Sequence, residues 1–542
     1  MSSTEQRVTR AAGLRAAIER GRSNLQSLQY EDGHWCGLLE GDSILESEYI
    51  LLLHFLDRGG EERARKAAER IRRLQLPEGG WAIYPGGPPE VSASVKAYFV
   101  LKLMGDDPEA PHMARARGVV RELGGVDAAN TYTHIYLAIF GQFDWERCPA
   151  VPPEMMLLPE WAFFNVGAMS SWSRAIFVPL SILWSLKPRV QVPDSAAIPE
   201  LFLDSPLIRV PPPAEAHARR WRRFFHAADR GLKVLERQRI RPLQRRALRA
   251  AESWIRTRTS QTDGLGAVFP SAVNTVMAFC ALGYPPDHPD VRSQLDALEK
   301  LEVDHGDTLQ VQPSLSPVWD TAQAMAAMSA TGTPADHPSL WRGAEWLLER
   351  EVRQKGDWCA YNPRGPVGGW YFQYANEFYP DCDDTAEVLL ALAPLAAGSG
   401  EAAERVREAR RRGLAWLLSM QNDDGGWAAF DRCCDREALT HVPFADHNAM
   451  LDPSCEDITS RVLELLGEEG FGPEHPAVRS GVRFLRDRQE ADGTWYGRWG
   501  CNYIYGTWLA LRGLSRVGED MEEGRYQRAA AWLREQQNED GG

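Results

Sequence analysis

A short phrase recurs along the chain and constrains its fold more than any other feature. Its fullest form runs from Trp416 through Gln421 to Gly425, Gly426 and Trp427. Apolar residues at helical spacing precede the Gln, and Gly is a common stop signal at the end of a helix. Each copy therefore predicts an amphipathic helix that ends in a glycine turn. Weaker copies reach their Trp at Trp35, Trp81, Trp358 and Trp495, and a decayed copy ends at Leu265.

The segments after the copies predict a second set of helices, for example over residues 47–56, 91–104 and 385–397. Helix pairs repeated in this way close into toroids, and strand-like alternation is scarce, so we expect an all-α fold. The Gln can bond the backbone at the end of a neighbouring helix while the Trp packs over it. The repeat is therefore predicted to be structural, although Glu351 stands in place of the Gln in the copy that ends at Trp358.

Length and charge exclude several classes of protein. With 542 residues the chain exceeds one typical core, so two domains are expected. A formal net charge of -14 opposes nucleic acid as the main partner, because a phosphate binder needs a basic surface. Nine Cys without a CxxC pair predict reduced thiols in a cytoplasmic protein without zinc. No apolar segment is long enough to span a bilayer, and residues 1–15 lack the apolar core of a secretion signal.

Three carboxylates within four residues, Asp381, Asp383 and Asp384, follow the aromatic segment 370–374. Close carboxylates cannot all ionise without cost, so a proton is held among them, and in a dry cleft that proton is a usable acid. An acid surrounded by aromatic rings suits a reaction that makes carbocations. A helix N-terminus or a metal-binding loop is the alternative interpretation of such an acidic run.

Further stretches match a known pattern in the same order, and several independent matches are stronger than one short motif. They are residues 46–49, 171–175, 316–321, 369–386, 452–459 and 497–506. With the repeats, they resemble the squalene-hopene cyclases, bacterial class II triterpene cyclases whose QW repeats build two α/α-barrel domains. The resemblance covers nearly the whole chain. It implies a catalytic barrel from residues 1–39 plus 313–542, and a second barrel from residues 40–312.

The resemblance implies a protonation-initiated cyclisation of squalene to hopene or hopanol, in hopanoid biosynthesis, without metal or redox cofactor. Asp383, the central carboxylate, is then the proton donor. Asp381 and Asp384 either support it by charge and hydrogen bonding or cap the following helix. Protonating a carbon-carbon double bond needs a far stronger acid than an ordinary carboxyl group, so neighbouring groups must stabilise the conjugate base.

One position departs from the family beside the acid. Where relatives pair a His with the central Asp, this chain has Arg461, and we expect Asp320 and Asp457 to hold it in place. A guanidinium stabilises the carboxylate left after proton transfer, but it favours premature ionisation and cannot relay a proton at neutral pH. An Arg in a surface ion pair is the alternative.

The resemblance also assigns aromatic rings to the path of the cation. Each well-placed ring stabilises a cation by about 0.5 to 2 kcal/mol, although core packing is the alternative for any one ring. Gln373 and Glu48 are expected in the polar lining of the cavity, or else as satisfied buried polar groups. Relatives often have an acid at Lys96 and a Gln at Phe269, which puts the product in question. The implied rings are Trp172, Trp319, Phe372, Phe430, Trp499 and Tyr505.

Residues 219–249 carry twelve basic and two acidic side chains, hence a net charge of +10. Apolar residues fall at helical spacing among them, as in a helix that docks on an anionic leaflet. The resemblance implies a monotopic enzyme, peripheral on the cytoplasmic face of the cytoplasmic membrane, that takes squalene or a related linear polyprenoid from the bilayer. A homodimer is a further expectation, and a solvated linker helix is the alternative for this stretch. The apolar positions are Trp221, Phe224, Phe225, Ala228, Leu232 and Leu235.

Residues 535–542 begin another copy of the repeat without its Trp, so we expect the intact protein to continue beyond them. Two other functions stay open. A class II diterpene cyclase would need clustered Lys and Arg for a prenyl diphosphate. A non-catalytic helical toroid, either a scaffold or a prenyltransferase-like subunit, is opposed by the three carboxylates beside the rings and by the lack of a zinc set.

Overall fold

The computed structural model describes residues 3–159, 161–204, 216–237, 240–260, 262–447, 449–500 and 502–542. Within these residues helices dominate and strands are limited to one short antiparallel pair, which confirms the all-α prediction. In chain order the elements are α1 (Ser3–Leu28), α2 (Ser43–Phe55), α3 (Glu62–Arg73), α4 (Val91–Leu103), α5 (Pro111–Glu122), α6 (Thr131–Ile139), α7 (Ser171–Leu186), α8 (Ala216–Arg237), α9 (Arg241–Thr259), α10 (Phe269–Leu282), α11 (Pro289–Glu299), β1 (Glu302–Asp304), β2 (Leu309–Val311), α12 (Pro317–Ala330), α13 (Pro338–Leu348), α14 (Cys382–Ala396), α15 (Glu401–Ser419), α16 (Glu456–Glu468), α17 (Pro476–Arg488), α18 (Asn502–Arg516) and α19 (Gly524–Glu535).

The chain divides into two compact units. The first comprises residues 1–37, 316–434 and 452–542, and the second comprises residues 38–315 and 435–451. Residues 435–451, which the sequence predicts in the same domain as the acidic run, belong to the second unit. Hydrogen bonds hold this segment in the second unit, because the Ser170 backbone N–H donates to the Met450 carbonyl at 2.9 Å and the Trp172 indole donates to the Ala449 carbonyl at 2.6 Å.

In the first unit α12, α14, α16 and α18 pack side by side in that order, and α13, α15, α17 and α19 form a second layer against them. The two layers differ in sequence. α14 is buried on most sides, whereas α15 buries a single stripe. Such a stripe is typical of a helix with one face in solvent. The stripe of α15 consists of Ala403, Val406, Ala409, Gly413, Trp416 and Leu417.

The second unit repeats this layering. α2 packs against α4, α7 packs against α10, and α10 also packs against α2. α3, α5, α9 and α11 lie against these four helices as an outer layer. The inner helices share one contiguous apolar core, which includes Leu51, Phe99, Ile182 and Val276. Among the described residues of the whole chain, none of the helices combines the length and the apolar character needed to cross a bilayer.

The repeat is a structural clamp, as predicted. Gln421 Nε2 donates to the Gly425 carbonyl at 2.8 Å and to the carbonyl of Ala477, the second residue of α17, at 3.0 Å. Trp427 Nε1 donates to the Leu417 carbonyl at 2.8 Å. The same three bonds recur in the copies that begin at Gln29, Gln75 and Gln489. Each Gln therefore joins the end of one outer helix to the start of a later one.

The copy at Glu351 differs from the prediction, because its Trp is Trp370 and not Trp358. The Trp370 indole donates to the Leu347 carbonyl at 2.7 Å, and its backbone N–H donates to Thr385 Oγ1 at 2.9 Å, which are the bonds that Trp427 makes in its own copy. Residues 356–369 form an insertion ahead of this Trp. Glu351 accepts from Nε and Nη2 of Arg412 at 2.6 and 2.8 Å, so an ion pair replaces the Gln amide.

Candidate active site

The three clustered carboxylates lie where α14 begins. Asp381 has an extended backbone and caps the helix, because its Oδ1 accepts from the Asp384 backbone N–H at 2.7 Å. The Asp381 N–H donates to the Trp370 carbonyl at 2.9 Å, and the Cys382 N–H donates to the Ala429 carbonyl at 2.8 Å. The helix start is thus held between two other segments. The cap places Asp383 and Asp384 in the first turn.

Asp381 and Asp384 are both buried against each other. Burial raises the pKa of Asp381 to about 7. Burial and the adjacent Asp381 charge raise the pKa of the Asp384 carboxyl well above its usual range. Two desolvated carboxyl groups in contact hold a proton between them, so this pair carries less than two negative charges at neutral pH.

Asp383 differs from its two neighbours because its side chain remains 16% exposed. Its Oδ1 accepts a hydrogen bond from Arg461 Nε at 2.7 Å. Burial raises the pKa of Asp383, against the lowering effect of the Arg461 charge, and the charges of Asp457 and Glu387 act in the same direction as burial. Asp383 is therefore an accessible carboxyl group whose pKa lies above its usual value.

Arg461, on α16, is only 4% exposed, so it does not belong to a surface ion pair. Besides Asp383, its guanidinium donates through Nη1 to Glu387 Oε2 and through Nη2 to the Tyr505 hydroxyl at 2.8 Å. The Arg461 guanidinium carbon lies 4.9 Å from the centroid of the Trp319 ring. Four side chains from three other helices thus fix the position of this cation.

Asp320 and Asp457 do not hold Arg461, contrary to expectation. Asp320 Oδ2 accepts from the Gly37 backbone N–H and the Ser316 hydroxyl, each at 2.7 Å. Asp457 Oδ2 accepts from the Trp499 backbone N–H at 2.7 Å. Asp457 therefore positions the segment that carries Trp499, and it acts on the acid only through its charge.

The predicted rings of the first unit lie on elements that border the acid. Trp319 and Tyr505 contact Arg461 directly. The rings of Phe430 and Trp499 meet edge to face with centroids 6.4 Å apart. The Phe372 carbonyl accepts from the N–H of Val318, beside Trp319, at 3.3 Å.

The remaining predicted residues have other partners. Gln373 is buried, and its Oε1 accepts from Asn376 Nδ2 at 2.9 Å. Trp172 and Glu48 belong to the second unit, where Trp172 donates to the Ala449 carbonyl and Glu48 pairs with Lys96.

Family models match almost the entire described chain. Residues 18–307 match the squalene-hopene cyclase N-terminal domain, and residues 315–542 match the squalene-hopene cyclase C-terminal domain. The chain belongs to the squalene-hopene cyclase family. The predicted family and the predicted fold class of two α/α toroids are confirmed.

Individual proteins, both squalene-hopene cyclases and another cyclase, are similar to this chain over nearly its whole length. The squalene-hopene cyclase of Zymomonas mobilis is 40% identical over 533 residues, which are 97% of this chain and 80% of that protein. The squalene-hopene cyclase of Alicyclobacillus acidocaldarius is 35% identical over 95% of this chain and 80% of its own length. The dammaradiene synthase of Dryopteris crassirhizoma is 36% identical over 97% of this chain and 77% of its own length.

Glu387 belongs to the site but was not predicted from the sequence. It follows Asp383 by four residues, which places both side chains on one face of α14, and it is buried. That spacing was visible in the sequence. Its significance depends on Arg461, which lies 74 residues further along the chain and reaches Glu387 only in the folded protein.

Proposed function

We propose that this triterpene cyclase converts squalene to hopene or hopanol, with Asp383 as the proton donor. The exposure of Asp383, combined with its raised pKa, is the observation that supports the assignment, since Asp381 and Asp384 are closed off from a substrate. A proton donor must be protonated before the reaction and reachable by the reacting carbon.

In the proposed reaction the carboxyl proton of Asp383 moves to one carbon of a double bond, and the other carbon becomes a cation. The Asp383 carboxylate that remains is stabilised by its charge-assisted bond to Arg461 at 2.7 Å. The ring closures that follow move the cation along the chain of the substrate. The last cation loses a proton to give hopene, or takes up water and then loses a proton to give hopanol, and solvent returns a proton to Asp383.

The aromatic residues are proposed to stabilise the cation as it moves. Each ring contributes about 0.5 to 2 kcal/mol, and more when water is excluded. Trp319 and Tyr505 flank the guanidinium beside the acid, so they are suited to the first cation. Trp172 and Glu48 stay predicted substrate contacts, and Gln373 stays a predicted member of the polar lining.

Substitution of Asp383 tests the proposal. Asp383→Asn keeps the shape of the side chain but removes the acid, so squalene turnover should fall at least about 100-fold. Asp487→Asn, at an exposed position of α17, is the matched control and should retain wild-type turnover. Products from squalene and from geranylgeranyl diphosphate should be identified by mass. Near-normal cyclisation by Asp383→Asn would rule out its role, and turnover of the diphosphate alone would favour a diterpene cyclase.

We also propose that the second unit docks on an anionic membrane surface at the cytoplasmic face. The basic stretch forms two helices, α8 and α9, rather than the single helix expected. Residues 238 and 239 and the side chain of Leu235 lie outside the described residues. Trp221 of α8 stacks on Phe163 with ring centroids 6.1 Å apart. Trp161, two residues before Phe163 in the chain, is 87% exposed. Exposed rings next to basic side chains match the chemistry of an interfacial anchor. A homodimer stays a prediction.

Charge reversal tests the docking proposal. Arg222→Glu, Arg223→Glu and Arg230→Glu combined should weaken sedimentation with vesicles that contain anionic lipid, because each basic side chain near the surface contributes about 1 kcal/mol. The control reverses three exposed arginines of the first unit and should leave vesicle binding unchanged; these are Arg405, Arg411 and Arg483. Equal binding by both triple variants would place the docking surface elsewhere.

A further inference from the structure

We propose that Glu387 is a positioning residue of the proton donor, whose charge offsets that of Arg461 so that Asp383 retains its proton between turnovers. This inference rests on the proposed role of Asp383 as the acid. It concerns how a site with a permanent cation beside the acid can still hold a proton.

The geometry joins three side chains into one unit. Asp383 and Glu387 lie one helical turn apart on α14, and both accept hydrogen bonds from the same guanidinium of Arg461. Arg461 donates through Nε to Asp383 Oδ1 and through Nη1 to Glu387 Oε2. Arg461 and Glu387 are buried, whereas the side chain of Asp383 is partly exposed.

The charges of this trio do not balance if both carboxyl groups are ionised. Asp383, Glu387 and the neighbouring phenol raise the pKa of Arg461, despite the opposing effect of burial, so the guanidinium is always charged. One buried cation and two carboxylates would leave an uncompensated negative charge, which a buried site disfavours. A proton is therefore retained within the trio.

Asp383 is the carboxyl group that retains it. Asp457 adds a further negative charge beside Asp383. The negative neighbour of Glu387 is Glu464, which is neutralised by Arg512 at 2.6 Å. The Glu387–Arg461 pair is thus close to neutral, and Asp383 faces a cation whose charge is already offset.

Titratable groups on every neighbouring helix are consistent with this assignment. On α14 the pKa of Asp384 is held well above its usual range by burial, so it contributes little charge. On α18 burial raises the pKa of the Tyr505 phenol to about 12, so it stays neutral at working pH. α12 contributes the ring of Trp319. The other ionisable groups around the trio are Asp381 at the N-cap of α14, Asp457 and Glu464 on α16 and Arg512 on α18.

Removal of Glu387 exposes Asp383 to the full charge of Arg461. An unshared Arg beside an Asp lowers its pKa by about one to three pH units. In Glu387→Gln the pKa of Asp383 should fall by at least about one unit, which lowers the fraction of protonated acid at neutral pH by up to about tenfold per unit. The pH profile of kcat should shift to lower pH, with activity recovered in acid and KM for squalene little changed.

Infrared titration measures the proton on Asp383 without substrate. The protonated carboxyl band that disappears in Asp383→Asn is followed against pH in the wild type and in Glu387→Gln. Glu351→Gln is the matched control, because it removes a buried Glu from its Arg412 pair in another repeat of the same unit. The midpoint should move to lower pH in Glu387→Gln and stay in place in Glu351→Gln.

Two further variants keep the inference testable if Glu387→Gln folds poorly. Glu387→Asp retains the charge and should keep the wild-type midpoint. The double variant Glu387→Gln with Arg461→Gln removes both charges and should return the midpoint towards the wild type. An unchanged midpoint in Glu387→Gln, or an equal shift in Glu351→Gln, would overturn the inference. Normal cyclisation by Asp383→Asn would instead refute the proposed donor, independently of the titration.

Discussion

Replacement of Lys96 by Met should destabilise the second unit strongly, because it removes one partner of a buried ion pair. Lys96 on α4 is 2% exposed, and its Nζ lies 2.5 Å from Glu48 Oε1 on α2. The Lys96 ammonium also lies 5.3 Å from the ring centroid of Tyr136. The Tyr136 hydroxyl in turn donates to Asn274 Oδ1 at 2.9 Å, so the pair belongs to a network across four helices.

The size of the effect follows from this burial. Loss of one member of a buried ion pair costs about 3 to 5 kcal/mol, because the other charge is left in the interior without a counter-ion. Loss of the cation-π contact adds about 0.5 to 2 kcal/mol. Methionine fills nearly the volume of the lysine stem, so no large cavity adds to the cost. We expect a total loss of about 3.5 to 7 kcal/mol in the free energy of unfolding.

Denaturant unfolding followed by circular dichroism measures this free energy. The double variant Lys96→Met with Glu48→Met should recover most of the loss, because well-packed apolar residues replace a buried ion pair at little cost. Lys300→Met is the control within the same unit, since Lys300 is 58% exposed where it pairs with Asp263, and it should change stability little. A loss of stability in Lys96→Met no larger than in Lys300→Met would refute the proposed cost of the unpaired buried charge. A double variant as unstable as the single one would refute it as well.

Two further predictions concern the first unit. Gln421→Ala removes two hydrogen bonds to carbonyl groups and should lower the free energy of unfolding by about 1 to 3 kcal/mol. Gln527→Ala, at an exposed position, is its control. Equal free energies of unfolding in the two variants would contradict the role of Gln421 as a clamp. Arg461→Ala should lower squalene turnover strongly, because the Asp383 carboxylate then forms without its cation. Arg461→His should restore much of it, with activity falling as pH rises through about 6.5, where imidazole loses its charge. Wild-type rates in Arg461→Ala would refute this role.

Much of the fold was determined by local sequence. The repeat predicts helices because its apolar spacing and glycine stops act within a few residues, and the Gln421 clamp begins with a bond to Gly425, only four residues away. The acidic run likewise predicts its own geometry, since Asp381 caps the helix that carries Asp383. Such contacts lie within about one helical turn, where covalent geometry leaves few alternatives.

Only the tertiary structure decided which distant groups meet. The sequence pattern predicts Trp358 in the fifth clamp, but the insertion at residues 356–369 allows Trp370 to take that place. Arg461 bonds Asp383 across 78 residues of sequence and Tyr505 across 44, and these pairings arise from the packing of α14, α16 and α18. The raised pKa values of Asp381, Asp383 and Asp384 also depend on the tertiary structure, because burial is their main cause. Sequence spacing specifies neighbours along one helix, whereas the partners of a buried charge depend on which helices exclude water around it.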